Sequence, residues 1–286
     1  MPSVSESERI LAKHLVNMVS GSEITASTML KKEHIEIAID CGVPSVTLFT
    51  PLSDLHLKYK LGISREENLN HALEMVDFSR EHGLKVNFAG EDSTRADINY
   101  IIRFIKSMSG KIEYFIPCDT LGCLTPFSTY LFIKKLRDNC KIPLSLHIHN
   151  DFGLATANTI AGLLAGAEIF SGTFCGIGER AGNAPIEEVC IALRFLYGIE
   201  LGVKYGMLKE ICNLVETYSG IKLQSHKPLV GKNAFTHESG IHADGIIKNP
   251  RTYENFNPAF IGQKRRFLFG KHTGKNVLRY LIKSWS

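Results

Sequence analysis

From residue 23 to about residue 200, short runs rich in β-branched and apolar residues alternate with longer stretches in which apolar positions recur three and four apart. That alternation is the pattern of βα units on a parallel sheet. Six strands are predicted, at 23–27, 45–50, 85–90, 114–119, 144–149 and 169–175. Amphipathic helices follow them at 30–40, 65–82, 96–107, 125–139, 155–165 and 185–197. A further helix opens the chain, with Ser5 placed to cap it and Glu8 placed to reach back in a capping box. After Gly220 the alternation decays into sequence rich in Gly, Asn, His and Lys, with one last helix predicted at 276–284. The expected organisation is therefore a βα body over 1–204 and a small helical and irregular C-terminal subdomain over 205–286.

A closed βα barrel takes eight strands, and six leave two edges of unpaired backbone groups. Polar residues gather at the ends of successive strands, the face on which barrel enzymes build their sites. The expectation is thus an α/β fold, a TIM (β/α)8-type barrel missing its first two βα units, rather than an open doubly wound sheet.

Composition changes this picture little. The 286 residues are 44% hydrophobic and 22% charged, ordinary globular values, and a net charge of +4 is too diffuse for a nucleic-acid footprint. The one dense basic run, Lys264-Arg265-Arg266, is expected to be a solvated loop. No apolar stretch approaches a membrane span and the start lacks the features of a signal peptide, so a cytoplasmic protein with no membrane partner is expected. The seven scattered cysteines read as reduced thiols, with Cys118 and Cys123 expected in the core.

Candidate chemistry concentrates at the strand ends. His147 and His149 stand two apart on the fifth strand and so share one face, the placement by which two imidazoles converge on a metal. The sixth strand leads into Gly176-Ile177-Gly178-Glu179-Arg180-Ala181-Gly182-Asn183, a glycine-rich turn that presents Arg180 and Asn183 at the same mouth. Glu91 to Arg95 and Asp119-Thr120 close two other strands, where Asp, Ser and Thr serve equally well as helix caps. Two apparent motifs fail on spacing. His237 and His242 are five apart rather than four, with Gly240 between them, and the run from Gly270 to Lys275 is one residue short of a phosphate loop.

Together these runs, with Ser53 to Leu61, Thr236 to Gly245 and Gly270 to Gly274, resemble the metal-dependent acyltransferases and lyases built on a TIM barrel. That family includes the 2-isopropylmalate, homocitrate and citramalate synthases, and the likeness extends over nearly the whole chain. The run Tyr253 to Pro258 is most similar to homocitrate synthases of the nitrogen-fixation type. The resemblance implies condensation of acetyl-CoA with a 2-oxo acid, 2-oxoglutarate first, on a divalent metal (Mg, Mn or Zn). By the same resemblance His147, His149 and Asn183 help hold the metal, and Glu91 and His242 do acid/base work, His242 from a neighbouring subunit. Thr120 contacts the substrate carboxylate, and Arg180 is expected to bind substrate beside it. Asn87 stands where lysine-pathway homocitrate synthases carry an arginine, which leaves 2-oxoisovalerate, pyruvate and oxaloacetate as alternative acids. The family's opening strand motif, which supplies an acidic metal ligand and a catalytic arginine, has no counterpart here. The expectation is a homo-oligomer, or a hetero-oligomer with a chain that supplies the missing strands; the alternative is a non-catalytic relative acting as a binding or regulatory module.

Overall fold

The computed structural model describes residues 1–268 together with Gly270, Lys271, Gly274 and Ile282. His272, Thr273 and all of the helix expected at 276–284 except Ile282 lie outside the described residues. The order along the chain is α1 (Glu6–Met18), β1 (Thr25–Met29), α2 (Lys32–Asp40), β2 (Ser45–Pro51), α3 (Asp54–His56), α4 (Arg65–Glu81) and β3 (Lys85–Glu91). It continues with α5 (Ile98–Ser107), β4 (Phe115–Asp119), α6 (Pro126–Asn139), β5 (Ser145–Ile148), α7 (Ala155–Leu164), β6 (Ile169–Ser171) and α8 (Ile186–Leu196). The last elements are α9 (Leu208–Ser219), β7 (Thr236–His237), α10 (Gly240–Lys248) and β8 (Arg266–Phe267).

Strands β1 to β6 form one parallel sheet in chain order, the arrangement of a TIM-type barrel wall. All six strands shift by one or more residues at an end, most at β1 and β6. β1 starts at Thr25, where its ladder with Ser45 of β2 begins, and β6 ends at Ser171 because Phe174 to Gly176 turns the chain, with Cys175 at φ +64°. Several helix starts carry side-chain caps. Ser64 and Thr125 each form a full capping box before α4 and α6. Ser5 accepts from the Glu8 amide as expected, but the Glu8 carboxylate bonds the Met1 amine instead of completing its box.

By contacts the chain divides into two compact units, residues 1–172 with 178–184 and residues 173–177 with 185–286. In this division α8 belongs with the later unit. In the first unit, α5 buries Ile101, Phe104 and Ile105, the i, i+3, i+4 face of one helix, against β3 and β4. The Phe104 ring lies 5.3 Å from Phe88 and 6.4 Å from Phe115. α7 reaches β5 closely because Gly162 has no Cβ; one would sit 2.6 Å from a Leu146 methyl. In the second unit, Phe195 stacks on Phe256 at 4.4 Å, and Cys175, Cys212 and Val230 share a buried cluster.

Two expectations are corrected. Cys123 is exposed, unlike buried Cys118, because its amide is drawn out to cap the Asp119 carboxylate. Within the basic run Arg265 is not solvated; it forks onto both oxygens of buried Glu254 at 2.7 and 2.6 Å. No described helix is long and apolar enough to cross a membrane. Phe104→Ala should destabilise the chain by about 3–5 kcal/mol. Phe127→Ala, at a ring 73% exposed, should change it by no more than about 0.5 kcal/mol; urea unfolding compares the two.

Candidate active site

Strand pleating turns every second residue of the sheet to one side, and in the first unit these side chains line a cleft of about 720 Å³. Thr25 and Ser27 come from β1, Thr47 and Phe49 from β2, Ala89 and Glu91 from β3, Cys118 from β4, His147 from β5 and Ser171 from β6. His149, Thr120, Glu179 and Arg180 complete the wall from the loops at the strand ends. Six of the seven residues singled out from the sequence thus lie in one unit, and five of them line the cleft. Asn183 sits beside it, and His242 lies on α10 of the second unit, where its ring stacks 4.1 Å from Tyr253.

His147 is aimed inward because Leu146 and Ile148, its neighbours in the pleat, are buried on the opposite side. The His147 and His149 rings stand 5.0 Å apart and nearly perpendicular. Ser171 Oγ lies 3.1 Å from His147 Nδ1 and so orients that ring, while His149 Nδ1 is buried without a partner. Burial, aided by the His149 charge, lowers the His147 pKa to about 4. Burial and then the Arg180 charge lower that of His149. Both imidazoles are therefore neutral near pH 7, the form that binds a metal.

The loop from Gly178 to Ala184 is stitched to the end of β5. His149 and Asn183 form an isolated antiparallel bridge, and the Asn150 amide donates to the Gly182 carbonyl at 2.9 Å. Asn183 Nδ2 reaches the Ile148 carbonyl at 3.5 Å, and its Oδ1 packs over Gly178, where any Cβ would collide with it. Arg180, at φ +54°, forks onto Asp151 at 2.8 and 2.9 Å and also donates to the Thr120 carbonyl. The guanidinium is thus held rather than free, and it keeps the Asp151 carboxyl below the usual range.

Glu91 ends β3 facing the cleft, with Lys60 Nζ at 2.8 and 2.7 Å from its two oxygens and His56 Nδ1 at 3.5 Å. Its neighbour Asp92 is wholly buried at φ +56°, gripped by Arg95 at 2.8 Å through each oxygen and by the Ser53 hydroxyl. The Asp92 amide donates to Thr120 Oγ1 at 2.8 Å, which ties the ends of β3 and β4 together. Asp119 is a structural cap, accepting from Thr94 Oγ1 and the Cys123 and Leu124 amides. Three partners escaped sequence reasoning: Ser171, Lys60 as the Glu91 cation, and Asp151. Ser171 was accessible in principle, because parallel register sets it opposite His147.

A divalent cation fits the histidine end of the cleft on one observation in particular. A buried ring nitrogen without a hydrogen bond is costly unless something occupies it, and a second neutral imidazole stands beside it.

Residues 1–215 match the family described as HMGL-like, and residues 229–285 match the homocitrate synthase post-HMGL domain-like family. The chain is 42% identical to homocitrate synthase AksA of Methanothermobacter thermautotrophicus, over 99% of this chain and 73% of that protein. It is 42% identical to 2-isopropylmalate synthase of Methanocaldococcus jannaschii, over 98% of this chain and 54% of the relative. The same organism's (R)-citramalate synthase CimA is 42% identical over 97% of this chain and 57% of its own length. Among solved structures, HMG-CoA lyase of Bacillus subtilis superimposes with a TM-score of 0.67 at 22% identity, covering 76% of each chain. Hydroxymethylglutaryl-CoA lyase of Pseudomonas aeruginosa gives 0.66 at 21%, covering 77% of this chain and 78% of that one. At that identity the likeness concerns the fold.

Gly122 gives a direct test of how the His149 loop is seated. Its φ is +57°, and a Cβ there would stand 2.5 Å from the His149 carbonyl oxygen, whereas Gly110, at φ +72°, has nothing near it. Gly122→Ala should therefore cost more stability than Gly110→Ala, which carries only the left-handed penalty of about 1–2 kcal/mol. Thermal unfolding of the two variants measures the difference.

Proposed function

The chain belongs to the HMGL-like family, whose condensing members are acetyl-CoA-dependent acyltransferases, and on that premise we propose that it joins acetyl-CoA to a 2-oxo acid, 2-oxoglutarate first, to give homocitrate. The observation that carries this reading is the single cleft wall shared by Glu91, Thr120, His147, His149 and Arg180. It sets a carboxylate base, anion-binding groups and a pair of neutral imidazoles around one small-molecule volume.

In this reading His147, His149 and the Asn183 amide oxygen hold a divalent cation, which supplies Lewis acidity to the ketone when bound. Two neutral nitrogens and an amide oxygen suit Mg, Mn or Zn and do not choose among them. Arg180 and the Thr120 hydroxyl orient the substrate carboxylate; because Asp151 already fixes the guanidinium, little ordering is left for the moment of binding. Glu91 takes a proton from the acetyl methyl group, with Lys60 keeping the carboxylate in place. The methyl carbon then bonds to the ketone carbon, His242 of a neighbouring copy returns a proton to the oxygen, and water cleaves the thioester to release CoA.

Asn87 stands on the same face of β3 as Glu91 and is nearly wholly buried, and an amide there does not choose among the four acids. The nitrogen-fixation type rests on the run Tyr253 to Pro258. Among the described residues the outer edges of β1 and β6 pair with no strand, so we place there a second chain bearing further βα units, in a cytoplasmic assembly.

CoA release by the purified chain, with Mg or Mn and a panel of 2-oxoglutarate, 2-oxoisovalerate, pyruvate and oxaloacetate, tests the reading. The assay is run with and without a polypeptide carrying two further βα units. Turnover should be highest with 2-oxoglutarate, and Glu91→Gln should lower kcat by about 10²–10⁴-fold with little change in KM. Preference for 2-oxoisovalerate or pyruvate would transfer the assignment to an isopropylmalate or citramalate synthase. Silence with all four acids in both arms would favour the binding module.

A further inference from the structure

Where β6 ends, the turn Phe174–Gly176 carries Cys175 at φ +64°, a left-handed conformation that costs a residue with a side chain about 1–2 kcal/mol. The thiol enters a buried cluster with Glu187 in the first turn of α8 and Cys212 on α9. The two sulfurs and a carboxylate oxygen all lie within 4.8 Å of one another. Glu187 is wholly buried. Its Oε2 accepts from the Cys175 amide at 3.0 Å, but its Oε1 makes no hydrogen bond. The nearest cation, Lys227 Nζ, stays 3.5 Å away and bonds Glu188 instead at 2.8 Å. A buried carboxylate oxygen left without a donor is an expensive arrangement.

We propose that Cys175, Glu187 and Cys212 form a structural site for one soft divalent cation of the zinc class, with Lys227 as its counter-charge. Two thiolates are ligands for zinc-class ions and poor ones for magnesium or calcium, so this site differs in donor class from the histidine pair of the cleft. Most of the charge is offset as well. Two thiolates and a carboxylate carry three negative charges and the ion two positive ones; Lys227, 3.5 Å from Glu187 and shared with Glu188, offsets part of the remainder, and Glu188 keeps some exposure to solvent. Val230, Val215 and Leu223 form the apolar shell around it. Without an ion, burial pushes both thiols and the Glu187 carboxyl upward. Binding therefore releases their protons to solvent, and affinity falls as pH is lowered.

The test uses the full chain with the cleft pair removed, His147→Ala/His149→Ala, so that one class of metal site remains. This chain should retain one equivalent of zinc after dialysis, and Co²⁺ in its place should show a thiolate charge-transfer band in the near ultraviolet. Adding Cys212→Ser should abolish the band and the equivalent, and Lys227→Met should weaken zinc about 10–100-fold. Absence of the cobalt band in the double-alanine chain itself would overturn the proposal without recourse to any variant of the cluster. Zinc retained in full after Cys175→Ser/Cys212→Ser, with circular dichroism unchanged, would also overturn it.

Discussion

The cleft depends on the parallel backbone ladder that runs through β1 to β6 in chain order. The ladder sets Cys118 beside His147 and His147 beside Ser171. A slip of one residue in β5 would turn both histidines outward and bring Leu146 and Ile148 into the polar cleft. Register is defended on the outer side, where Leu146 and Ile148 are buried and Leu146 meets α7 over Gly162. A packing contact on the helix side thus determines the chemistry on the cleft side.

Beyond the strand ends, order comes from charge rather than apolar packing. Asp92, Asp119 and Asp151 each accept two or more hydrogen bonds from neighbouring loops. Each looks like a catalytic candidate by residue type, yet each spends its acceptors on backbone amides, a hydroxyl or an arginine. Glu91 is different because its one strong partner, Lys60, is half exposed and can yield.

Strand order, helix positions and the inward face of β5 were legible because periods of two and of about 3.6 residues are written locally. The shared face of His147 and His149 followed from that period, and the strand-end positions of Glu91, Thr120 and Arg180 from the alternation, whereas their selection as site residues rested on the family resemblance. The pairing of Arg180 with Asp151 was not legible, since it depends on a loop folding back across 29 residues. Nor was the exposure of Cys123, which hangs on one amide turned toward Asp119. Arg265 escaped for a similar reason: a basic run reads as solvated until its partner, Glu254, is seen buried eleven residues away. The turn at Cys175 was hidden because only the backbone angle, and not the residue type, ends β6 there.

The ion pairs around the cleft have one further consequence. Lys60 faces Glu91, Arg95 faces Asp92 and Arg180 faces Asp151, all at 2.8 Å or less, so the mouth holds strong dipoles but little net charge. Its field dies away within a few ångströms, inside a Debye length of roughly 8 Å at physiological ionic strength. These pairs by themselves therefore give an anionic acid no long-range attraction, and the steering field at the mouth is left to the cation proposed between the neutral imidazoles. The salt dependence of capture thus reports on the cation rather than on the ring of paired side chains around it.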